Sequence, residues 1–168
     1  GGGSSRVVWK QFTADLPAAL EAYGHTVAYE PAFGTHVIHS FKQNTRTAVL
    51  NAATADVNIV CVGTGGGVEF EEGDRLTMRL SPVQERAILD TAARNPNTVV
   101  VLFAGAAVDV SAWEGSVAAI LYAGFPGMCG MQAVADILTG KVNPSGKPSE
   151  TFPLDYDDLP AACTLRTA

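Results

Sequence analysis

The sequence predicts an α/β fold, a three-layer sandwich built around a mostly parallel sheet. Three continuous apolar runs, each ending in glycine, are typical of parallel strands covered on both faces: Val57–Gly63, Thr98–Gly105 and Val117–Gly124. Segments with helical periodicity lie between and around these runs, and this alternation is typical of βαβ units. The 168 residues contain no internal repeat or long linker, so we expect one domain over residues 1–168.

The predicted helices have recognisable ends. In the clearest one, Ser81–Asn95, Ser81 can cap the first turn and Pro82 suits the first helical position. One face of this helix carries Val83, Ala87, Ile88 and Ala92. The other predicted helices are Thr13–Gly24, Thr45–Ala55 and Met131–Gly140. The short segment His25–Glu30 predicts a further strand.

Composition and charge exclude several classes of partner. The net charge is −6 and the 11 Lys and Arg residues are scattered, so we expect no nucleic-acid partner. No apolar run reaches the roughly 18 residues that a membrane-spanning helix needs, so we expect no membrane partner either. The cysteines Cys61, Cys129 and Cys163 have no metal-binding spacing, and Cys61 is interpreted as a small buried apolar residue.

No motif predicts a cofactor or a metal. The glycine run at 63–67 fails the dinucleotide pattern because position 68 is Val, and carboxylates that follow it would repel a phosphate. His36 and His39 form an H-x-x-H pair without a third ligand, so we interpret them as solvated or locally bonded. We therefore expect no cofactor and no metal site.

The acidic segment GVEFEEGDR at 67–75 follows the strand that ends at Gly63, at the edge of a parallel sheet where ligands gather. Composition alone favours a solvated loop with a local Asp74–Arg75 ion pair. A calcium loop would need a different alternation of ligands. General acid–base catalysis is the remaining interpretation. In an extended segment Glu69 and Glu71 would share one side, with Glu72 on the other, and neighbouring carboxylates raise one another's pKa.

Four sequence blocks together resemble the second domain of glycoside hydrolase family 3 enzymes, of the β-glucosidase and β-xylosidase type. They are GGGSS at the start, ADVNIVCVGTGGGVEFEEGDRLTMRLSPVQERAI, NPNTVVVLFAGAAVDVSAW, and YAGFPGMCGMQAVADILTGKVNPSGKPSETFP. They occur in the family's order over nearly the whole chain, and the last one is highly specific. The resemblance implies an α/β sandwich of flavodoxin-like topology, packed beside a (β/α)8 barrel that is absent from this chain.

The resemblance also implies a division of catalytic labour. The barrel supplies an aspartate nucleophile, and the sandwich supplies a glutamate general acid/base for retaining hydrolysis of a β-linked oligosaccharide or glycoside. The family's E-G-x-D-R pattern places that role first on Glu71, with Glu69 as the alternative and Glu72 as a further one. We expect the barrel to act in cis or in trans, and the isolated chain to be inactive.

The sequence departs from the family pattern at two places, and the first of them favours a competing hypothesis. PGMCG replaces the usual PGQEG, so Met128 and Cys129 stand where a polar pair is typical, and GKPSETFP replaces GKLPxTFP. The alternative is a non-catalytic α/β module that binds carbohydrate or a protein partner.

Overall fold

The fold was analysed in a computed structural model that describes residues 15–30, 51–65, 68–69 and 75–160. The described helices are α1 (Leu16–Glu21), α2 (Pro82–Ala92) and α3 (Gly130–Leu138). The described strands are β1 (Asn58–Gly63), β2 (Thr98–Phe103) and β3 (Ala119–Tyr122). Single-turn 3-10 helices occupy Glu114–Ser116 and Tyr156–Asp158.

The three described strands form one parallel sheet in the order β1-β2-β3. Gly63 at the end of β1 is level with Phe103 at the end of β2, and Leu102 is level with Tyr122 at the end of β3. All three carboxyl ends therefore meet at one edge of the sheet. The predicted α/β class with a parallel sheet is confirmed.

Alternating side chains of β2 divide the core into two clusters, one on each face of the sheet. Val100 and Leu102 point to the face covered by α2, where Ile88 and Trp113 are also fully buried. Val101 points to the opposite face, against α1 and α3. The second cluster contains Leu16, Ala19, Leu20, Val101, Val134 and Ala135. Helices on both faces of a central sheet make the predicted three layers.

Helix α2 begins as the sequence predicts. The side chain of Ser81 accepts a hydrogen bond from the backbone N–H of Gln84, and Pro82 occupies the first turn. Ala87, Ile88 and Ala92 are buried. Val83 is exposed, because it lies in the first turn at the margin of the buried face.

Two local predictions are wrong. Residues 25–30 do not form a strand, since no described strand lies beside them to complete a ladder of backbone hydrogen bonds. Cys61 is exposed and not buried, because β1 is one of the two outer strands of the described sheet and is less covered than β2. Most of the predicted helix Thr45–Ala55 lies outside the described residues, and only 51–52 are seen to be helical.

Candidate active site

The candidate site lies where β1 and β2 end side by side. Thr64, the first residue after β1, is buried, and its backbone N–H donates to the carbonyl of Phe103 at 2.9 Å. The two backbones approach closely at Gly63, where an added β-carbon would stand 1.9 Å from the Phe103 carbonyl oxygen. From helix α2, the Gln84 side chain donates to the carbonyl of Gly63 at 3.0 Å. The start of the acidic segment is thus fixed to the sheet.

Glu69 turns its carboxylate back onto these strand ends. Its Oε2 accepts a hydrogen bond from the Thr64 hydroxyl at 2.7 Å and another from the backbone N–H of Gly105 at 3.0 Å. The Glu69 side chain is only 16% exposed. A buried carboxylate oxygen with two donors is a strongly held group, because charge-assisted hydrogen bonds are stronger than neutral ones.

Arg75 completes the arrangement from the other end of the acidic segment. Its Nη1 lies 3.3 Å from Glu69 Oε1, and its Nη2 donates to the carbonyl of Ala107 at 2.6 Å. Charge holds the Glu69–Arg75 contact, since neither of its two atoms forms a hydrogen bond to another described residue. We call the set Thr64, Glu69, Arg75, Gly105 and Ala107 the loop clamp.

The loop clamp closes the base of segment 70–74. Glu69 precedes this segment and Arg75 follows it, so the segment begins and ends at an ion pair fixed to β1 and β2. Glu71, Glu72 and Asp74 lie outside the described residues, and so does the expected Asp74–Arg75 pair. Of the candidate catalytic residues, only Glu69 is described, and its carboxylate faces the protein.

A second carboxylate reaches this region from the C-terminal part of the chain. Glu150 Oε1 accepts a hydrogen bond from the backbone N–H of Ala107 at 2.7 Å. Nearby, the rings of Tyr122 and Phe152 meet edge to face with centroids 5.2 Å apart. Burial raises the pKa of Tyr122, and the negative charges of Glu150 and Glu69 raise it further. The C-terminal signature block therefore helps to build the same edge of the sheet.

Sequence reasoning missed Thr64, Gly105, Ala107 and Glu150. Gly105 and Ala107 take part through backbone atoms, which any residue type supplies, so composition carries no signal for them. Thr64 carries a weak signal, since it directly follows a buried strand. Glu150 occupies a position that the family pattern leaves open, and nothing local distinguishes it.

The described residues hold no cluster of metal-binding type. Within those ranges no group of three or more His, Cys, Asp or Glu side chains converges to hold a metal ion. His25 is exposed, and the His36–His39 pair lies outside the described residues. Among the described helices, none combines the length and apolar character needed to cross a membrane.

Comparison with known proteins identifies the class. The family model described as the glycosyl hydrolase family 3 C-terminal domain matches residues 1–167. Among solved structures, the family 3 β-glucosidase of Bifidobacterium adolescentis superimposes with a TM-score of 0.86 at 35% sequence identity. That match covers 95% of this chain and 23% of the β-glucosidase chain.

Curated relatives agree with the structural match. An exo-alpha-(1->6)-L-arabinopyranosidase of Bifidobacterium longum is 35% identical over 162 residues, which are 96% of this chain and 21% of the relative. Beta-glucosidase B of Emericella nidulans is 40% identical over 116 residues, covering 68% of this chain and 14% of the relative. The fold is therefore that of a glycoside hydrolase domain. The chain belongs to the family 3 C-terminal domain family, and it spans about a fifth of the length of the first of these relatives.

Proposed function

We propose that this domain supplies the general acid/base of a retaining glycosidase and that Glu71 carries the role. In the first half of the reaction Glu71 protonates the oxygen of the leaving group, and in the second half it removes a proton from the attacking water. The nucleophile is a carboxylate of a (β/α)8 barrel, in cis or in trans. The substrate is a β-linked oligosaccharide or glycoside, in line with the β-glucosidases among the relatives.

The loop clamp is the observation that carries this proposal. A general acid must be held within hydrogen-bond reach of the oxygen that it protonates, and a short segment fixed at both ends satisfies that need better than a free loop. The residues that flank 70–74, Glu69 and Arg75, are held together by their ion pair. Both flanking residues lie at the edge of the sheet at which α/β folds bind their ligands.

The contacts of Glu69 favour a positioning role for that residue over the alternative role as acid/base. A general acid gives its proton to substrate, whereas Glu69 Oε2 already accepts two hydrogen bonds and Oε1 lies beside the Arg75 guanidinium. Oε2 is thus occupied by two donors, and Oε1 is buried beside a cation, so neither oxygen is turned towards a substrate. These contacts support Glu71 as first choice, and the experiment below compares the two glutamates directly.

The test uses this domain joined to a family 3 barrel. We expect Glu71→Ala to lower kcat on alkyl β-glycosides by about 10²- to 10⁴-fold, the usual contribution of general acid–base catalysis. The loss should be smaller on dinitrophenyl glycosides, whose leaving group needs no proton. With the dinitrophenyl glycosides, azide should restore turnover of Glu71→Ala by attacking the glycosyl-enzyme, with a β-glycosyl azide as the product. Glu69→Ala should show no azide rescue.

Other outcomes would redirect the assignment. Rescue of Glu69→Ala and not of Glu71→Ala would move the acid/base role to Glu69, and rescue of Glu72→Ala alone would move it to Glu72. Saccharide binding without hydrolysis, even with the barrel joined, would support the non-catalytic binding module. Retaining turnover of aryl β-glycosides by the isolated chain would show that no barrel is needed.

A further inference from the structure

The four residues that follow β2 carry backbone contacts to both ends of the acidic segment. We call residues 104–107 the β2 loop. Within it, the backbone N–H of Gly105 donates to Glu69 Oε2 at 3.0 Å, and the carbonyl of Ala107 accepts from Arg75 Nη2 at 2.6 Å. The position of the β2 loop therefore determines where Glu69 and Arg75 are held.

Glu150 binds the same loop from a distant part of the chain. Its Oε1 accepts a hydrogen bond from the backbone N–H of Ala107 at 2.7 Å, across 43 residues of sequence. Ala107 is only 4% exposed, and its N–H has no other acceptor among the described residues. A buried N–H without an acceptor is costly, so this contact restrains the loop at the residue whose carbonyl binds Arg75.

Tyr122 restrains the other end of the β2 loop. Its hydroxyl donates to the carbonyl of Ala104 at 2.8 Å, and its ring packs edge to face on Phe152, two residues after Glu150. Burial is the main cause of the raised pKa of Tyr122, and the charges of Glu150 and Glu69 add to it, so both carboxylates lie near this side chain. Side chains from β3 and from the C-terminal part of the chain thus hold the loop at both ends.

We propose that Glu150 is a positioning residue for proton transfer: through the β2 loop it holds Glu69 and Arg75, the residues on either side of 70–74. This inference rests on the proposed function, in which the acid is carried between these two residues. A general acid must lie within hydrogen-bond reach of the oxygen that it protonates, and a misplacement of about 1 Å can cost on the order of 10²-fold in rate. Because Glu150 acts through the loop, its loss displaces the acid without removing it.

The test compares two leaving groups in the enzyme formed by this domain and a family 3 barrel. For Glu150→Ala we expect kcat/KM on alkyl β-glycosides to fall about 5- to 10-fold, a part of the usual contribution of a general acid. On dinitrophenyl glycosides, whose leaving group needs no proton, kcat/KM should change by less than about twofold. A smaller fraction of folded enzyme would lower both values equally, so the ratio of the two values reports positioning alone.

Two conservative variants separate the hydrogen bond from the charge. Glu150→Gln keeps a carbonyl oxygen that can accept from the Ala107 N–H, so kcat/KM on alkyl glycosides should stay within about twofold of the parent. Glu150→Asp keeps the charge on a side chain that is shorter by one methylene and withdraws the acceptor. It should behave like Glu150→Ala.

Asp155→Ala provides a matched control. Asp155 is also a carboxylate in the C-terminal part of the chain, and it accepts from the backbone N–H of Asp157 at 3.0 Å. That bond caps the last 3-10 helix and does not involve the β2 loop. We expect Asp155→Ala to keep the ratio of the two kcat/KM values.

Three results would overturn the inference. One is an unchanged kcat/KM on alkyl glycosides in Glu150→Ala or, should that variant fail to fold, in Glu150→Asp. Another is an equal fall on both substrates, or a changed ratio in Asp155→Ala as well, which would assign Glu150 a structural role only. The third is rescue of Glu150→Ala by azide, which would make Glu150 a catalytic residue. Failure of the proposed function is separately visible, because Glu71→Ala would then keep the parent's ratio.

Discussion

Arg75 Nη1 lies 3.3 Å from Glu69 Oε1, and this pair joins the two ends of the acidic segment. Both side chains are 16% exposed, so water screens their attraction only in part. Glu69 Oε2 binds Thr64 and Gly105, and Arg75 Nη2 binds Ala107, all at the strand ends. The pair therefore attaches the residues on either side of 70–74 to the ends of β1 and β2.

Arg75→Ala tests this coupling. The change leaves the Glu69 carboxylate largely buried without its cation and the Ala107 carbonyl without its donor, so we expect a loss of about 3 kcal/mol in the free energy of unfolding. Urea denaturation of the isolated chain measures it. In the control Arg86→Ala, the lost ion pair with Asp90 is solvent-exposed, and a much smaller loss is expected. Equal losses in the two variants would contradict the structural role of Arg75.

Gly63→Ala tests the close approach of β1 to β2. The added β-carbon would stand 1.9 Å from the Phe103 carbonyl oxygen, so the strands have to separate where the acidic segment begins. We expect a loss of about 3 kcal/mol or more, or failure to fold, because no flexible side chain can move aside. Gly65→Ala, where nothing lies within 4 Å of the added carbon, should change stability by less than about 0.5 kcal/mol. Thermal unfolding distinguishes the two variants.

Cys61 should react slowly with alkylating reagents despite its exposure. The protein packed around the sulfur raises the pKa of the Cys61 thiol from 9.0 to about 11, and the thiolate is the reactive form. With Cys129 and Cys163 replaced by serine, we expect the iodoacetamide rate to rise about tenfold per pH unit up to pH ~10. A plateau near pH 9 in the folded chain would contradict the raised pKa.

The same shift has a consequence for stability. The folded state holds the Cys61 proton more tightly than the unfolded state, so the thiol contributes stability fully below pH 9.0. This contribution is lost as pH rises towards about 11. The Cys61→Ser variant should therefore lose less stability than the parent between these two pH values, as followed by urea denaturation.

Tyr23→Phe tests the junction between α1 and α3. The Tyr23 hydroxyl donates to Asp136 Oδ1 at 2.5 Å and is the main cause of a lowered pKa of Asp136, ahead of the hydrogen bond from Gln132. A lowered carboxyl pKa stabilises the fold above the ordinary value of 3.8, and this stability is lost as pH falls through the folded-state pKa. The stability difference between parent and variant should be constant from pH 5 to 8 and narrow below pH 4.

Tyr156→Phe is the control for this pH profile, because Tyr156 is an exposed tyrosine on the last 3-10 helix. It should show no such narrowing. A Tyr23→Phe profile parallel to that of the parent down to pH 3 would show that Tyr23 does not act through Asp136. Both profiles come from urea denaturation monitored by circular dichroism.

Local sequence patterns predicted the helices and strands, whereas contacts between backbone segments far apart in the sequence could not be predicted. Ser81 and Pro82 identify the start of α2 because capping depends on neighbouring residues alone. The apolar runs identify β1, β2 and β3 to within two residues at each end, since burial on both faces needs continuous apolar sequence. Residues 25–30 have strand-like residues and no described partner strand, and a partner is a property of the whole chain.

The candidate site shows the same division. The acidic segment and its place after β1 were visible in the sequence, and the family resemblance that directed attention to it is confirmed. The role of Glu71 stays a prediction. The partner of Arg75 was expected to be Asp74, whereas the described partner is Glu69. Which carboxylate pairs with Arg75 depends on the position of the backbone at Gly105 and Ala107, which binds Glu69 and Arg75. The spacing of residues in the sequence does not predict that position.

The backbone of Ala107 forms two side-chain hydrogen bonds: its carbonyl accepts from Arg75, and its N–H donates to Glu150. Glu150 lies after α3 in a segment without regular secondary structure. A truncation designed to keep only the sheet and the helices would remove this segment. Cutting at residue 147 would delete Glu150 together with the Phe152 ring that packs on Tyr122. The smallest fragment that preserves this edge of the sheet therefore extends through Pro153, and chimeras with foreign barrels should be joined with that stretch intact.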